Sequence, residues 1–192
     1  IKLSDNQISR FREKGFLVVP SAFSDQASQT IRRWAEEITS LPEEVGKHWV
    51  YHEPSLLDEN RNLINRIENM APFHGGLSAL ANSFVLSCGQ LLGEEAVLFK
   101  DKINFKMPGG DGFKPHQDSQ AGWNRYAKDY INVLLSVEKS TNNNGCLHID
   151  ISGNNCSKLM SKKMKPLKMK ELRNPKFKEL LLGVGDLVFF NS

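Results

Sequence analysis

Cysteine is scarce in this 192-residue chain: Cys88, Cys146 and Cys156 are odd in number and have no Cys-x-x-Cys spacing. That excludes a disulfide framework and a zinc-ribbon pattern, and the thiols read as reduced, as in a cytoplasmic protein. No apolar run approaches the about 20 residues needed to cross a bilayer. The opening segment, IKLSDNQISRFREKG, lacks the apolar core of a secretory signal. Charge of one sign is also missing: 25 Lys+Arg face 22 Asp+Glu, a formal +3. So small an excess gives no nucleic-acid surface, and no membrane partner is expected. The stretch from Lys158 to Lys178 (KLMSKKMKPLKMKELRNPKFK) carries more than that whole excess, leaving the rest of the chain slightly acidic. Such a run reads as a solvated face, with a salt-sensitive anionic partner as the alternative.

What is present is enough apolar content, 40%, to bury a core in one domain spanning 1–192. The first half carries helical signals. Ser4 can cap a short helix with Ile8 and Phe11 on one side and Gly15 at its end. Phe16 to Val19 reads as a strand. Ser24 caps a longer helix with Ala27, Ile31, Trp34 and Ile38 in one stripe, closed by Pro42. Trp34 on that stripe is read as core. Glu43 to Asn69 looks like a polar loop, and one helix is predicted from about Gly76 to Leu92.

The second half changes to a period of two. In VLFKDKINFKM (Val97 to Met107), Val97, Phe99, Ile103 and Phe105 share one face while Lys100, Lys102, Asn104 and Lys106 share the other. Tyr130 to Val137 and Cys146 to Ile151 are predicted strands flanking a turn at Thr141–Gly145. A short helix is expected from Asn174-Pro175, and a last strand at Leu187 to Phe190. Helices followed by strands argue for α+β with a mostly antiparallel sheet. An apolar strand such as GDLVFFNS wants a neighbour on its edge, and the length is expected to describe a fragment.

The segment KMPGGDGFKPHQDSQAGW (Lys106 to Trp123) carries the chemistry. His116 and Asp118 are two apart, so an extended backbone projects both side chains to one side, at what reads as a loop-to-strand junction. An imidazole and a carboxylate so placed suit two positions of a 2-His-1-carboxylate iron site. A loop ion pair would look the same in sequence. The chain holds a second such pair, His148 and Asp150, within a predicted strand where an outward polar residue is ordinary.

Four stretches, FREKGFLVVPSAFS, LFKDKINFKMPGGDGFKPHQD, INVLLSVEKSTNNNGCLHI and GVGDLVFFNS, resemble the phytanoyl-CoA dioxygenase family in order and spacing from about Ile8 to Ser192. RIENMAPFHGGL (Arg66 to Leu77) is similar to the bacterial branch acting on 2-aminoethylphosphonate and related small polar molecules. The resemblance implies a mainly β, α+β fold: a double-stranded β-helix (a cupin-like jelly roll) with N-terminal helices packed on it. It implies Fe(II) as cofactor, 2-oxoglutarate as co-substrate and dioxygen as reactant. The reaction would hydroxylate a small-molecule substrate and release succinate and carbon dioxide.

Carried onto this sequence, the resemblance makes His116 and Asp118 metal ligands and catalytic residues, with Lys102 and Asn104 facing the co-substrate. The alternation agrees for the last two, although a merely solvated face fits as well. Ser136, with Asn132 on the polar face of the next strand, is a further co-substrate candidate. Trp123 could wall a substrate pocket or plug the core. Related halogenases lack a carboxylate at the second ligand, so Asp118 implies hydroxylation. The lysines at 100, 102, 106 and 114 suit an anionic substrate, a phosphonate first, and suit 2-oxoglutarate equally. An acyl thioester is the less favoured choice.

Two departures stand out. Ile151-Ser152-Gly153-Asn154 replaces the family's Pro-Gly-Ser-His stretch. No histidine follows His148, so the distal ligand and the co-substrate arginine are expected beyond Ser192, in C-terminal strands missing from this sequence. The alternative is a non-catalytic β-helix domain that binds a small ligand and lacks a complete iron triad.

Overall fold

The computed structural model describes residues 1–154 and 165–192. Cys156 and part of the lysine-rich run fall outside them. No helix among the described residues is long and apolar enough to cross a membrane. Among the described residues four α-helices, α1 (Asp5–Lys14), α2 (Asp25–Ser40), α3 (Gly75–Ser83) and α4 (Val85–Leu92), accompany eight strands. These are β1 (Phe16–Val19), β2 (Trp49–Pro54), β3 (Asn62–Glu68), β4 (Lys102–Asn104), β5 (Ile131–Leu135), β6 (Leu147–Asp150), β7 (Phe177–Leu180) and β8 (Leu187–Asn191). They form antiparallel sheets in the orders β1-β8-β5, β2-β3-β4 and β6-β7.

The predicted caps form. Ser4 and Gln7 make a capping box on α1, and Gly15 ends it with φ 74°. Ser24 accepts from the Ala27 amide at the start of α2. These bonds satisfy helix-terminal N–H groups that would otherwise lack partners. Leu187, Val188 and Phe189 in β8 are all fully buried. Leu187 and Phe189 enter a core with Leu3, Phe11, Leu17 and Leu91, while Val188 joins Leu180 and Leu182 on the other face. The continuous apolar run LVFF is thus the signature of a central strand covered on both sides.

The second sheet has its own core. Ile67 and Ile38 are fully buried with Met70 and Leu77, and Trp34, Ile103 and Phe105 pack around them. Helix α3 sits close to α2 because Gly76 places no side chain against the Trp34 ring. His74 locks the pair: its Nδ1 accepts from the Leu77 amide and its Nε2 meets Glu37 at 3.0 Å.

Several expectations are corrected. Glu43 to Asn69 contains the hairpin β2–β3, whose mixed exposure hides the alternation of a strand. The single helix from Gly76 to Leu92 divides at Phe84, which ends α3 and opens α4. In Val97 to Met107 only Lys102–Asn104 pairs as strand. The Asp101 carboxylate accepts from the Met70 and Ala71 amides at 2.8 and 2.7 Å, tying the chain to the end of β3. Val97 and Phe99 consequently leave the apolar face: Val97 is exposed, and Phe99 packs on Trp123, Tyr126 and Tyr130. After Asn174-Pro175 the chain enters β7 instead of a helix. Asn174 turns at φ 43°, and the Lys176 amide donates to Asp150 Oδ1, aligning β7 on β6.

A Cβ at Gly76 would stand only 2.4 Å from the nearest atom of the Trp34 ring. Gly76→Ala should therefore lower unfolding free energy by about 1–3 kcal/mol despite its better helix propensity. Urea denaturation followed by circular dichroism checks this, and a stabilised variant would contradict the packing described.

Candidate functional site

His116 and Asp118 converge as the two-residue spacing predicts. Gln117 between them is extended (φ −107°, ψ 131°), so both side chains emerge on one side, and His116 Nε2 stands 3.4 Å from Asp118 Oδ1. The junction differs from expectation, because Asp118 opens a short 3-10 turn, Asp118–Ala121, and not a strand. The Lys114 carbonyl lies 2.6 Å from His116 Nδ1. A carbonyl accepts only, so Nδ1 carries a hydrogen and Nε2 is the nitrogen that faces Asp118; a metal between them would take the place of the Nε2 proton.

The loop beneath is fixed by Gln120, which is 2% exposed. Its Oε1 accepts from the Gln117 amide at 2.8 Å and its Nε2 donates to the Lys165 carbonyl at 3.1 Å. The Leu167 amide donates to the Pro115 carbonyl at 2.7 Å, and Leu167 is buried. The described part of the lysine-rich run therefore props the His116 loop.

Contact with Asp118 is the largest influence on His116. It raises the imidazole pKa, with help from the Lys114 carbonyl and against desolvation. Burial alone would raise the Asp118 pKa, but His116 and the Lys102 charge outweigh it and hold the carboxyl below its ordinary value. Two donors each about 2.1 Å from one cation, at right angles, stand about 3 Å apart. The observed separation and the mixed nitrogen–oxygen chemistry thus fit a shared transition metal. Among the described residues, no group of three His, Cys, Asp or Glu side chains converges.

Beside this pair lies the polar face of the second sheet. Antiparallel register sets Glu68 opposite Lys102 and Arg66 opposite Asn104, while Ile67 and Ile103 turn to the core. Lys102 and Asn104 are exposed, on the face the alternation assigns them. Desolvation is the main influence on Lys102 and lowers its pKa; the Asp118 charge opposes it, and Lys100 and Arg66 reinforce it. Lys102 is thereby in electrostatic reach of both the His116–Asp118 pair and the β3 charges.

Sequence reasoning missed the group around Glu68. This carboxylate is 2% exposed and takes Arg66 Nε and Lys100 Nζ, each at 2.8 Å, on the same oxygen. A buried carboxylate persists only with such partners. The Arg-x-Glu spacing at 66 and 68 on one strand face, two positions apart, was the available signal.

The remaining candidates stand apart. Ser136 is buried just past β5, and its hydroxyl donates to the Glu138 carbonyl at 2.6 Å. Asn132 donates to Ser192 Oγ at 2.9 Å. Trp123 is half-buried against Phe99 and Tyr130, with ring centroids 5.4 and 5.3 Å away. Its carbonyl accepts from the Tyr130 hydroxyl at 2.6 Å. In the second His-x-Asp pair, His148 is exposed, and Asp150 accepts from the Ser152 and Lys176 amides.

Comparison with known proteins gives a consistent result. The family profile described as phytanoyl-CoA dioxygenase (PhyH) matches residues 11–192. The chain is 34% identical over 203 residues to a 2-aminoethylphosphonate dioxygenase of uncultured bacterium HF130_AEPn_1, covering 98% of this chain and 72% of that protein. It is 35% identical over 147 residues to the methylphosphonate hydroxylase of Gimesia maris, covering 76% of this chain and 55% of that protein. Among solved structures, EctD from S. alaskensis with 2-oxoglutarate and 5-hydroxyectoine superposes with TM-score 0.73 at 17% identity, over 98% of this chain and 67% of that one. The non-heme alpha ketoglutarate dependent epimerase SnoN gives TM-score 0.74 at 12% identity, over 98% and 73%. The α+β arrangement therefore matches the fold of such oxygenase structures.

Gln120→Ala would strip partners from the Gln117 amide and the Lys165 carbonyl, at a cost of about 1–3 kcal/mol. The expected outcome is faster hydrogen exchange at the Gln117 amide, with exchange in β8 little changed. Equal loss of protection in both would mean that Gln120 supports the whole fold and not the loop.

Proposed function

The chain belongs to the phytanoyl-CoA dioxygenase family of iron- and 2-oxoglutarate-dependent oxygenases, and from that premise we propose that it hydroxylates a small anionic substrate, a phosphonate being the first candidate. Succinate and carbon dioxide would be the co-products. The observation that carries this reading is the convergence of His116 Nε2 and Asp118 Oδ1 at 3.4 Å beside the Lys102 face.

In this reading His116 and Asp118 would hold Fe(II) through Nε2 and Oδ1. The Lys114 carbonyl holds the Nδ1 hydrogen and so directs Nε2 toward the metal position, and Gln120 keeps the loop in place. The bound iron, with 2-oxoglutarate and dioxygen, supplies the oxidising power for hydroxylation. Lys102 pairs a carboxylate of 2-oxoglutarate, and Asn104, beside Arg66 on the same face, donates to it. Lys102 stands exposed on that face, open to an incoming anion. Trp123, packed on Phe99 and Tyr130, is left out of this assignment. Ser136, whose hydroxyl is engaged by Glu138, is left out of this assignment. Asp118 occupies the position that a halogenase would leave open for halide, which favours hydroxylation. The phosphonate substrates named for the two relatives, each about one-third identical, support the substrate class.

In the full-length protein, Asp118→Ala should lower metal-dependent succinate release from 2-oxoglutarate by more than about 100-fold, since even groups that only orient a metal ligand contribute 10–100-fold. A chromatographic assay for succinate measures it. Undiminished release would remove Asp118 from the metal site.

A further inference from the structure

One charged group on the sheet has an unspent edge. Arg66 is anchored on two sides: its Nε stands 2.8 Å from the buried Glu68 carboxylate, and its guanidinium carbon lies 4.4 Å from the centroid of the Tyr51 ring. Tyr51 is directly opposite Arg66 in the β2–β3 register, so both side chains rise from the same face as Lys102 and Asn104. Among the described residues no acceptor engages the two Nη groups, and the Arg66 side chain keeps 27% of its surface exposed.

A guanidinium has three nitrogens in one plane. When Nε is drawn toward a carboxylate and one face is covered by an aromatic ring, the edge formed by Nη1 and Nη2 remains. That edge matches two oxygens of a phosphonate, sulfonate or carboxylate. Glu68 already takes Lys100 on the same oxygen, at 2.8 Å, so the lysine is committed while the arginine fork is not. Local charge supports an anion: Arg66, Lys100 and Lys102 outnumber Glu68 and the nearby Asp118.

We propose that Arg66 is the substrate's specificity residue, receiving an anionic head group on its Nη edge, with Glu68 and Tyr51 as positioning residues that fix the fork. This rests on the function proposed above and adds the group that selects the substrate, distinct from Lys102, which serves the co-substrate. Holding the side chain in advance saves rotamer entropy on binding, which is the use of the costly burial of Glu68.

The test is calorimetric titration with methylphosphonate, its uncharged dimethyl ester, and 2-oxoglutarate in the presence of Mn(II), under nitrogen. Arg66→Lys keeps a cation beside Glu68, which preserves the fold, and removes the fork. Tyr51→Leu leaves the charge and removes the shelf. The wild-type chain should bind methylphosphonate and not the ester. Arg66→Lys should weaken methylphosphonate by about tenfold or more with 2-oxoglutarate unchanged, and Tyr51→Leu should weaken it less. Methylphosphonate binding that is absent in wild type, or unchanged in Arg66→Lys, overturns the proposal. Parallel weakening of both ligands also overturns it, making Arg66 a general support of the sheet. Arg66-dependent methylphosphonate binding without any 2-oxoglutarate binding would uphold this inference and defeat the proposed oxygenase function.

Discussion

The register of β3 is the constraint on which the candidate site depends. Ile67 is fully buried, and its immediate neighbours Arg66 and Glu68 face the other way. A slip of one residue would place a carboxylate in the apolar core and an isoleucine on the charged face, so the energetic gap against that slip is large. Pairing on both sides turns this local choice into a layout. Tyr51 comes under Arg66 from β2, while Lys102 and Asn104 come beside Glu68 and Arg66 from β4. The burial of one isoleucine thus aligns five polar or aromatic side chains on the opposite face.

The electrostatics of that face follow from the same layout. The chain as a whole is almost balanced in charge, yet three cations gather around one buried carboxylate. Lys102 links them to Asp118, whose carboxyl stays ionised against the effect of burial because His116 and Lys102 stand close. Net charge therefore says little about ligands here. What matters is the local excess of cations around the buried carboxylate.

How much of this was readable in the sequence depends on whether the responsible forces were local. The Ser4 and Ser24 caps, the Gly15 terminus and the convergence of His116 with Asp118 all arise within a few residues, and the sequence announces them. The alternation through Lys102, Ile103 and Asn104 was equally plain. The hairpin β2–β3 was not, because its exposed Trp49 and Tyr51 pair with charged residues and show no apolar alternation. Likewise Asn174-Pro175 looked like a helix start until Asp150, far back in the chain, captured the Lys176 amide. The Glu68 cluster was hidden for the same reason: its second partner, Lys100, comes from a separate stretch of chain. The division at Phe84 also coincides with distant contacts: its ring packs edge-on against Phe23, and the Ile1 amino group donates to the Ser83 carbonyl.

The central place of β8 has a consequence for the order in which the molecule assembles. Phe16 in β1 must find Phe190 in β8, and β5 completes its pairing on the same strand. Helix α1 and strand β1 therefore emerge from a ribosome long before the strand that covers Leu17 exists. Loop closure over so long a stretch is entropically slow, and the first sheet is the last to close. The β2–β3 hairpin faces no such delay and can form with α2 and α3 from local contacts. During synthesis the N-terminal apolar segment is the exposed surface that chaperones would meet, whereas the charged face is already drawn.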